Sequence, residues 1–436
     1  MHQNSPYTLT KIGSLIDLLS GFAFKSSEFS DVATTEQHIR LLRGINITEN
    51  AIRNNDTIDK FWLNSSTDLD KYYLEEGDLV ISMDGSKVGR NYALVSPKDL
   101  PSLLVQRVAR IRAKKGLHLP FLHQLIGSKL FTDYVDSVKT SSGIPHISAK
   151  QIKEFSIPLP NIAIQKKIAE ILSTVDKKID LIDQKIAETE KLKTGLMQKL
   201  FSEGIGVQDS DGNWQPHSEF QDSPFGKIPK CWSVETLGEH TIKVGSGVTP
   251  KGGSKAYVDS GIPLIRSQNV LFGKFKLDDV AFITEQQHDK MKGSKLQPRD
   301  VLLNITGASI GRCAVLPEDF DEGNVNQHVC IIRTSEAIDP DFCGWFLNSK
   351  LGQKQIWNLQ AGGNREGLNF QQIRSFKIPV FSIEEQCSIV EILSTVSDKL
   401  NLLETQKAET QQLKKGLMQK LLTGEWRVPL DNPEAA

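Results

Sequence analysis

The chain has 436 residues, enough for two or three domains, and 52 basic against 53 acidic side chains leave a net charge of −1. Overall charge therefore does not mark a nucleic-acid binder, and any basic surface must be local. The five cysteines lie far apart with no CxxC pair, which argues against a disulfide or cysteine-metal framework; with no signal peptide and no run of about 18 apolar residues, a soluble cytoplasmic protein is expected.

Residues 1–154 read as a first domain. Strand-like runs IRLLRGINI (Ile39–Ile47), GDLVISM (Gly77–Met83), NYALV (Asn91–Val95) and VQRVARIR (Val105–Arg112) alternate with turn signals. A helix is predicted over Pro120–Val138, followed by the polar loop KTSSGIPHIS (Lys139–Ser148). Strands mixed with short helices imply an α+β class. His118 and His123 lack metal-helix spacing and read as structural.

Residues 155–204 carry a long helix. Apolar residues at Ile164, Ile168, Ile171, Val175, Ile179, Ile182, Ile186, Leu192, Leu196 and Leu200 draw one stripe at three-to-four spacing. Pro158 and Pro160 hold the entry extended, Asn161 can cap, and Gly204 is a natural stop. Residues 205–235, rich in Asp, Ser, Pro and Gly, read as a linker. Its Trp214, Phe220, Phe225 and Trp232 imply partial order, since large apolar rings are costly to leave in water.

Residues 236–375 repeat the first domain. GDLVISMDGSKVGRNYALV matches RDVLLNITGASIGRCAVLP (Arg299–Pro317), and VQRVARIR matches NQHVCIIR (Asn326–Arg333). LLRGINI matches LIRSQNV (Leu264–Val270), and the loop before residue 149 matches AGGNREGLNF (Ala361–Phe370). Strand positions agree while loop residues mostly differ. One frame with two sets of loop side chains is what two readers of different ligands look like.

A second long helix fills 376–425, with a tail at 426–436. Aligned from Phe155 and Phe376 without a gap, 25 of 48 positions are identical at an offset of 221. That offset far exceeds the 20–50 residues of solenoid repeats, so a whole module is duplicated. Ser382 and Glu385 fit a capping box, and Gly424 is the matching stop. A helix of roughly 40 residues spans about 60 Å. Its simplest partner is the other copy, lying side by side. The expected packing positions are Ile168, Ile171, Val175, Ile182 and Leu196 in the first helix, with Ile389, Val396, Leu403 and Leu417 in the second.

No phosphate-binding GxxxxGK[ST], dinucleotide-binding GxGxxG, HExxH or GxSxG is present, nor an Asn/Asp-Pro-Pro-aromatic methyltransferase motif. The chain is expected to be non-catalytic and to hold no metal or cofactor itself. A divergent methyltransferase or nuclease, and a coiled-coil adaptor without a DNA role, are the competing classes.

The helix segments EILSTVDKKIDLI and LKTGLMQKLFSEG, their copies EILSTVSDKLNLL and LKKGLMQKLLTGEWRV, and the linker DSPFGKIPKCWSVETLGE resemble the specificity subunit of type I restriction-modification enzymes. The resemblance covers nearly the whole chain. It implies two α/β target recognition domains, separated by two long helices packed as an antiparallel coiled coil. Each domain would read one half of a bipartite, asymmetric double-stranded DNA site, and the coil would set the gap. Two modification subunits, binding S-adenosylmethionine and methylating adenine N6, would dock on this frame. Two restriction subunits using ATP and Mg can join them.

Base readout needs forked donors and acceptors on short stiff loops. The first domain offers Arg43, Asn46, Lys87, Arg90, Gln106, Arg107, His146 and Lys150. The second offers Lys251, Arg266, Gln268, Asn269, Arg312, Gln327, His328, Asn364 and Arg365. Arg43 and Arg266 stand out, because each ends an equivalent strand run.

Overall fold

The computed structural model of the chain describes residues 7–33, 39–62, 67–140, 143–250, 252–360 and 367–429. It divides into two compact units, one of residues 1–184 with 405–436 and the other of residues 185–404. The sequence reading set domains and helices one after another. Instead, each unit combines one domain with a half of each long helix.

In the first unit an antiparallel sheet runs in the order Ile16–Ser20, Val108–Ala113, Leu79–Ser82, Tyr92–Leu94. Leu79, Ile81, Ala109 and Ile111 point into a core with Phe121 and Phe131. Val80 and Val108 point the other way, onto Leu42, Ile47 and Leu104. Both faces are covered, which is why these strands read as unbroken apolar runs. Strand Ile39–Leu42 pairs parallel with Ser102–Leu104 and antiparallel with Phe61–Trp62. The helix expected over Pro120–Val138 is two, Leu119–Ile126 and Lys129–Val138, because Ser128 is extended between them.

The second unit repeats this topology, with the sheet Thr241–Ser246, Val329–Thr334, Val301–Asn304, Cys313–Val315. Strand Ile262–Ile265 pairs parallel with Asn324–Val325 and antiparallel with Ala281–Ile283. The aspartate of the GDL and RDV runs is structural in both copies. Arg112 holds Asp78 at 2.5 and 2.9 Å, and Arg333 holds Asp300 at 2.7 and 2.8 Å, each as a two-point fork.

The first long helix runs Ile162–Glu203 and the second Ile383–Thr423. The residues before them belong to the domains, not to the helices as the sequence boundaries had it. Ser156–Leu159 pairs with Thr8–Lys11, and Lys377–Val380 pairs with Ser233–Thr236. Asn161 caps as expected, accepting from the Ile164 N–H at 3.0 Å. Gly204 and Gly424 end the helices in the left-handed region, at φ 69° and 78°.

The helices pack together, antiparallel within each unit. In the first unit Ile168 and Leu172 share the domain core with Met418, Leu421 and Leu422. Asp176 meets Lys414, and Asp183 meets Lys407, each at 2.5 Å. In the second unit Leu200 and Phe201 share a core with Ile389 and Leu393, and Lys193 donates to Ser397 Oγ at 3.2 Å. Of the expected packing positions, Ile168, Ile182, Ile389 and Leu403 are buried. Ile171, Val175, Leu196, Val396 and Leu417 are half-buried. Leu192, assigned to the same stripe, is 54% exposed and lies off the seam.

The linker forms two hairpins, Val207–Gln208 with Trp214–Gln215 and Phe220–Ser223 with Gly226–Pro229. Phe220 is exposed, whereas Trp232 is buried and stacked on Phe381 at 3.9 Å. The capping box at Ser382 is only half made. The Glu385 N–H reaches Ser382 Oγ at 3.4 Å, but the Glu385 carboxylate turns to the linker. It accepts from the Ile205 and Gly206 N–H groups (2.8 and 3.1 Å) and from Trp232 Nε1 (3.0 Å), and it bonds His217 Nε2 at 3.0 Å. Four partners saturate a buried carboxylate and outcompete a cap exposed to water.

Two predictions follow from this packing. Glu385→Ala leaves four buried donors without an acceptor and should destabilise the second unit by roughly 3 kcal/mol. Trp232→Phe, which removes one bond, should cost about 1 kcal/mol. Urea unfolding of the two variants checks both; equal, negligible losses would show the linker to be merely laid on the helix.

His123 is buried with its ring edge on Tyr92 at 5.4 Å, and its Nε2 has no bonding partner among the described residues. Burial pushes its pKa down to about 4; nearby Asp176 opposes this and Lys414 adds to it. The unfolded chain, at the ordinary 6.5, then binds more protons than the native state between those values. Stability is full above pH ~6.5 and falls by up to ~3 kcal/mol as pH drops towards 4. Urea midpoints across this range should show that slope, and His123→Gln should flatten it.

Candidate nucleic-acid interface

In the first domain, the loops at one end of the sheet are laced by backbone bonds. The Met83 N–H donates to Arg107 O (2.8 Å), and Ile147 N–H donates to Met83 O (2.9 Å). Gly85 N–H donates to Pro145 O (3.0 Å), Val105 N–H to Leu42 O (3.1 Å) and Gln106 N–H to Phe22 O (2.7 Å). Five segments are thus pinned together: the chain after Ser20, the turn after Leu42, the loop after Ser82, the tip at Val105–Arg107, and the loop before helix Ala149–Glu154.

The second domain has the same lacing. Ile305 N–H donates to His328 O (3.0 Å) and Leu368 N–H to Ile305 O (2.9 Å). Asn326 N–H donates to Ile265 O (3.0 Å) and Gly247 N–H to Asn326 O (3.1 Å). Gln106–Arg107 and Gln327–His328 occupy equivalent tips.

The expected readers divide into three groups. Lys87, Gln106, Arg107, Lys150 and Gln327 are exposed at these loop ends, and Arg312, His146 and His328 are half-exposed. Arg107 stands at φ 76° with its side chain 58% exposed, loosely paired with Asp84 at 3.9 Å. His146 Nδ1 bonds Thr140 Oγ1 at 2.9 Å, and His328 Nδ1 bonds Thr306 Oγ1 at 2.6 Å. Thr249 Oγ donates to Gln327 Oε1, and the Gln327 amide donates to His328 Nε2 at 3.0 Å. Nδ1 therefore carries the His328 proton and donates to Thr306. The second tip is a hydrogen-bonded relay where the first holds an exposed guanidinium near Asp84.

A second group is already occupied. Asn46 and Asn269 are fully buried, which corrects their assignment as base readers. The Asn46 Oδ1 accepts from Arg43 N–H at 3.3 Å, and its Nδ2 donates to Asp59 Oδ1 at 2.9 Å and Arg53 O at 3.3 Å. Asn269 repeats this, accepting from Arg266 N–H and donating to Lys276 O, both at 3.0 Å. Their amides close the turn that the chain makes after its strand. Arg43 and Arg266 do follow equivalent strands, but each guanidinium donates to a carbonyl within its domain, Ile58 O and Asp279 O. Burial lowers the Arg43 pKa, partly offset by Asp59 and Asp31. Gln268 donates to Asp279, and Arg90 pairs with Asp136 at 3.0 Å. Lys251, Asn364 and Arg365 lie outside the described residues.

The sequence reading missed Asn304, Phe22 and Val248. Asn304 is buried and donates to Ser267 O (2.9 Å) and Val270 O (3.1 Å), fixing the turn beneath Arg266. Phe22 and Val248 are exposed apolar residues at the same rim. The sequence signal for these two is the glycine before each, Gly21 and Gly247.

Among the described residues one group could gather metal ligands: Glu235, Glu239 and His240. Its atoms are already engaged, with His240 Nε2 on Glu235 at 2.6 Å and Glu239 accepting from Thr236 N–H at 2.9 Å. No helix of the described residues is long and apolar enough to cross a membrane.

The family model described as "Type I restriction modification DNA specificity domain" matches residues 4–191 and again 230–412. The chain is 29% identical over 359 residues to the type I restriction enzyme MjaVIII specificity subunit of Methanocaldococcus jannaschii, covering 81% of this chain and 80% of that one. It is 26% identical over 442 residues to the EcoBI specificity subunit of Escherichia coli, covering 97% and 87%. In fold it is similar to a crystal structure of the type I restriction-modification S subunit from M. genitalium, with TM-score 0.60, 18% identity and 97% of each chain covered. With both halves of the chain matched in turn, and each half built on the same laced frame, the chain belongs to the type I restriction-modification DNA specificity family.

Proposed function

We propose that this chain is the non-catalytic DNA-reading subunit of a type I restriction-modification complex. Each domain reads one half of a bipartite, asymmetric double-stranded site. The observation that carries this reading is the repeated loop frame, which holds Gln106 and Arg107 at one tip and Gln327 and His328 at the other. A shared backbone with unlike side chains brings unlike base edges to equivalent positions. Arg107 suits guanine O6 and N7, and Gln327, oriented by Thr249 and His328, suits adenine N6 and N7. Lys87 and Lys150 supply phosphate contact.

The paired helices set the gap and dock two modification subunits, which bind S-adenosylmethionine and methylate adenine N6. Up to two restriction subunits, with ATP and Mg, complete the assembly. A near-neutral chain then relies on its partners for much of the phosphate contact. Mapping methylated adenines in a genome with and without this gene tests the reading: a non-palindromic, two-part site should vanish with the gene, and a palindromic site would contradict it.

Arg107→Ala should weaken methylation of one half-site by roughly 1–3 kcal/mol, and His328→Ala should affect the other half. Methylation rates on oligonucleotides altered in one half at a time distinguish the two. Equal losses at both halves would assign these residues to phosphate or to folding.

The ruler role makes a separate prediction. Adding four residues to each long helix, near Ala187 and Ala408, lengthens each by about 6 Å. The half-sites should stay unchanged while the nonspecific spacer grows by one to two base pairs, at about 3.4 Å each. Each added pair also turns the target by about 35°, so bending must absorb part of the change. Full activity with an unaltered spacer would show that the helices do not measure the gap.

A further inference from the structure

We infer that Phe22 and Val248 are apolar base readers, each packed against the 5-methyl group of a thymine in its domain's half-site. The inference rests on the DNA-reading function proposed above and names the base feature that two of its contacts recognise.

The placement is built into both domains independently. Gly21 follows strand Ile16–Ser20, and a Cβ on it would lie 2.1 Å from Val105 O; a Cβ on Gly247, after strand Thr241–Ser246, would lie 1.6 Å from Val325 O. Only glycine lets the chain press this closely onto the turn. The next residue is then held at the tip. The Phe22 N–H donates to Leu104 O (3.0 Å), and its carbonyl accepts from Gln106 N–H (2.7 Å). In the second domain the residue after Val248, Thr249, bonds Gln327 itself. The backbone of each domain thus sets one apolar residue next to its tip segment.

These side chains face water. Phe22 is 38% exposed although Phe24 and Tyr72 pack at 4.9 and 5.3 Å, and Val248 is 58% exposed. A single exposed apolar residue needs no explanation. Recurrence at the equivalent position of two domains whose loops otherwise differ does need one. In the major groove the apolar feature is the thymine methyl, and side chains that read it stand beside those that read donors and acceptors. The two residues differ in size, as expected if their thymines lie at different depths.

The test uses the complex of the full chain with its modification subunits. Once methylome mapping has given the site, each thymine is replaced in turn by uracil, which lacks only the methyl. Methylation of the wild type should fall about 4-fold at one position in each half, the worth of one buried methyl. In Phe22→Ala the first effect should disappear while the second persists, and Val248→Ala should do the reverse. Thermal unfolding of both variants, together with retained methylation at the unmutated domain's half-site requirements, separates this from misfolding. A half-site without thymine, uracil without effect, or an effect that survives the alanine variant overturns the inference. Failure to find any site that depends on this chain would instead overturn the DNA-reading function.

Discussion

A helix of 42 or 41 residues with an apolar stripe cannot stand alone in water. Everything else in each unit follows from how that stripe is covered. The domain core takes one end of each long helix, and a buried glutamine fixes the join. In the first unit Gln165 accepts from His118 N–H at 2.8 Å and donates to Gly116 O and Pro160 O at 3.0 and 2.9 Å. In the second, Gln386 accepts from Asp339 N–H at 2.9 Å and donates to Ala337 O and Phe381 O at 3.0 and 2.9 Å. All hydrogen-bonding capacity used is local backbone, so neither helix can slide without stripping buried polar groups of their partners. Within a unit, helix register and domain position are one constraint.

That constraint explains why duplication left some residues alike and others free. The glutamines, the aspartates of the Asp–Arg forks and the turn-closing asparagines are all buried, and each bonds groups that cannot move independently. Loop side chains beyond the lacing carry no such load. They can change while Met83–Arg107 and Ile305–His328 keep the same backbone bonds. Recognition can then diverge between domains without disturbing the frame.

The fold was largely legible because its signals are periodic and repeated. Helix stripes, caps at Asn161 and stops at Gly204 and Gly424 depend on neighbours in sequence. The candidate interface was less so. Arg43, Asn46, Arg266 and Asn269 have the chemistry of base readers, yet partners 3 to 15 residues away engage them within their own domain. No single-residue propensity separates a forked donor aimed at a carbonyl from one aimed at solvent. The capping box at Ser382 failed for a related reason. Glu385 had better partners in the linker, 153 to 180 positions distant in sequence. Leu192 lies off the seam because it follows Ile186 by six residues, a step of about 240° round a helix of 3.6 residues per turn, and so breaks the three-to-four spacing.

The two tips hold their side chains by different means. Arg107 is one of only four non-glycine residues with positive φ among those described. Such a backbone is sparsely populated, costs of order 1–3 kcal/mol, and persists only where its surroundings hold it. Here the flanking bonds from Met83 N–H to Arg107 O and from Gln106 N–H to Phe22 O do so. The strain contributes nothing to the core, because the side chain it presents is exposed. At the equivalent position His328 lies in an ordinary conformation, braced by Thr306 and Gln327. One domain aims a long cation through its backbone, and the other aims a shorter neutral pair through side-chain bonds. Both give a preorganised donor set on a stiff loop, which lowers the ordering cost of binding.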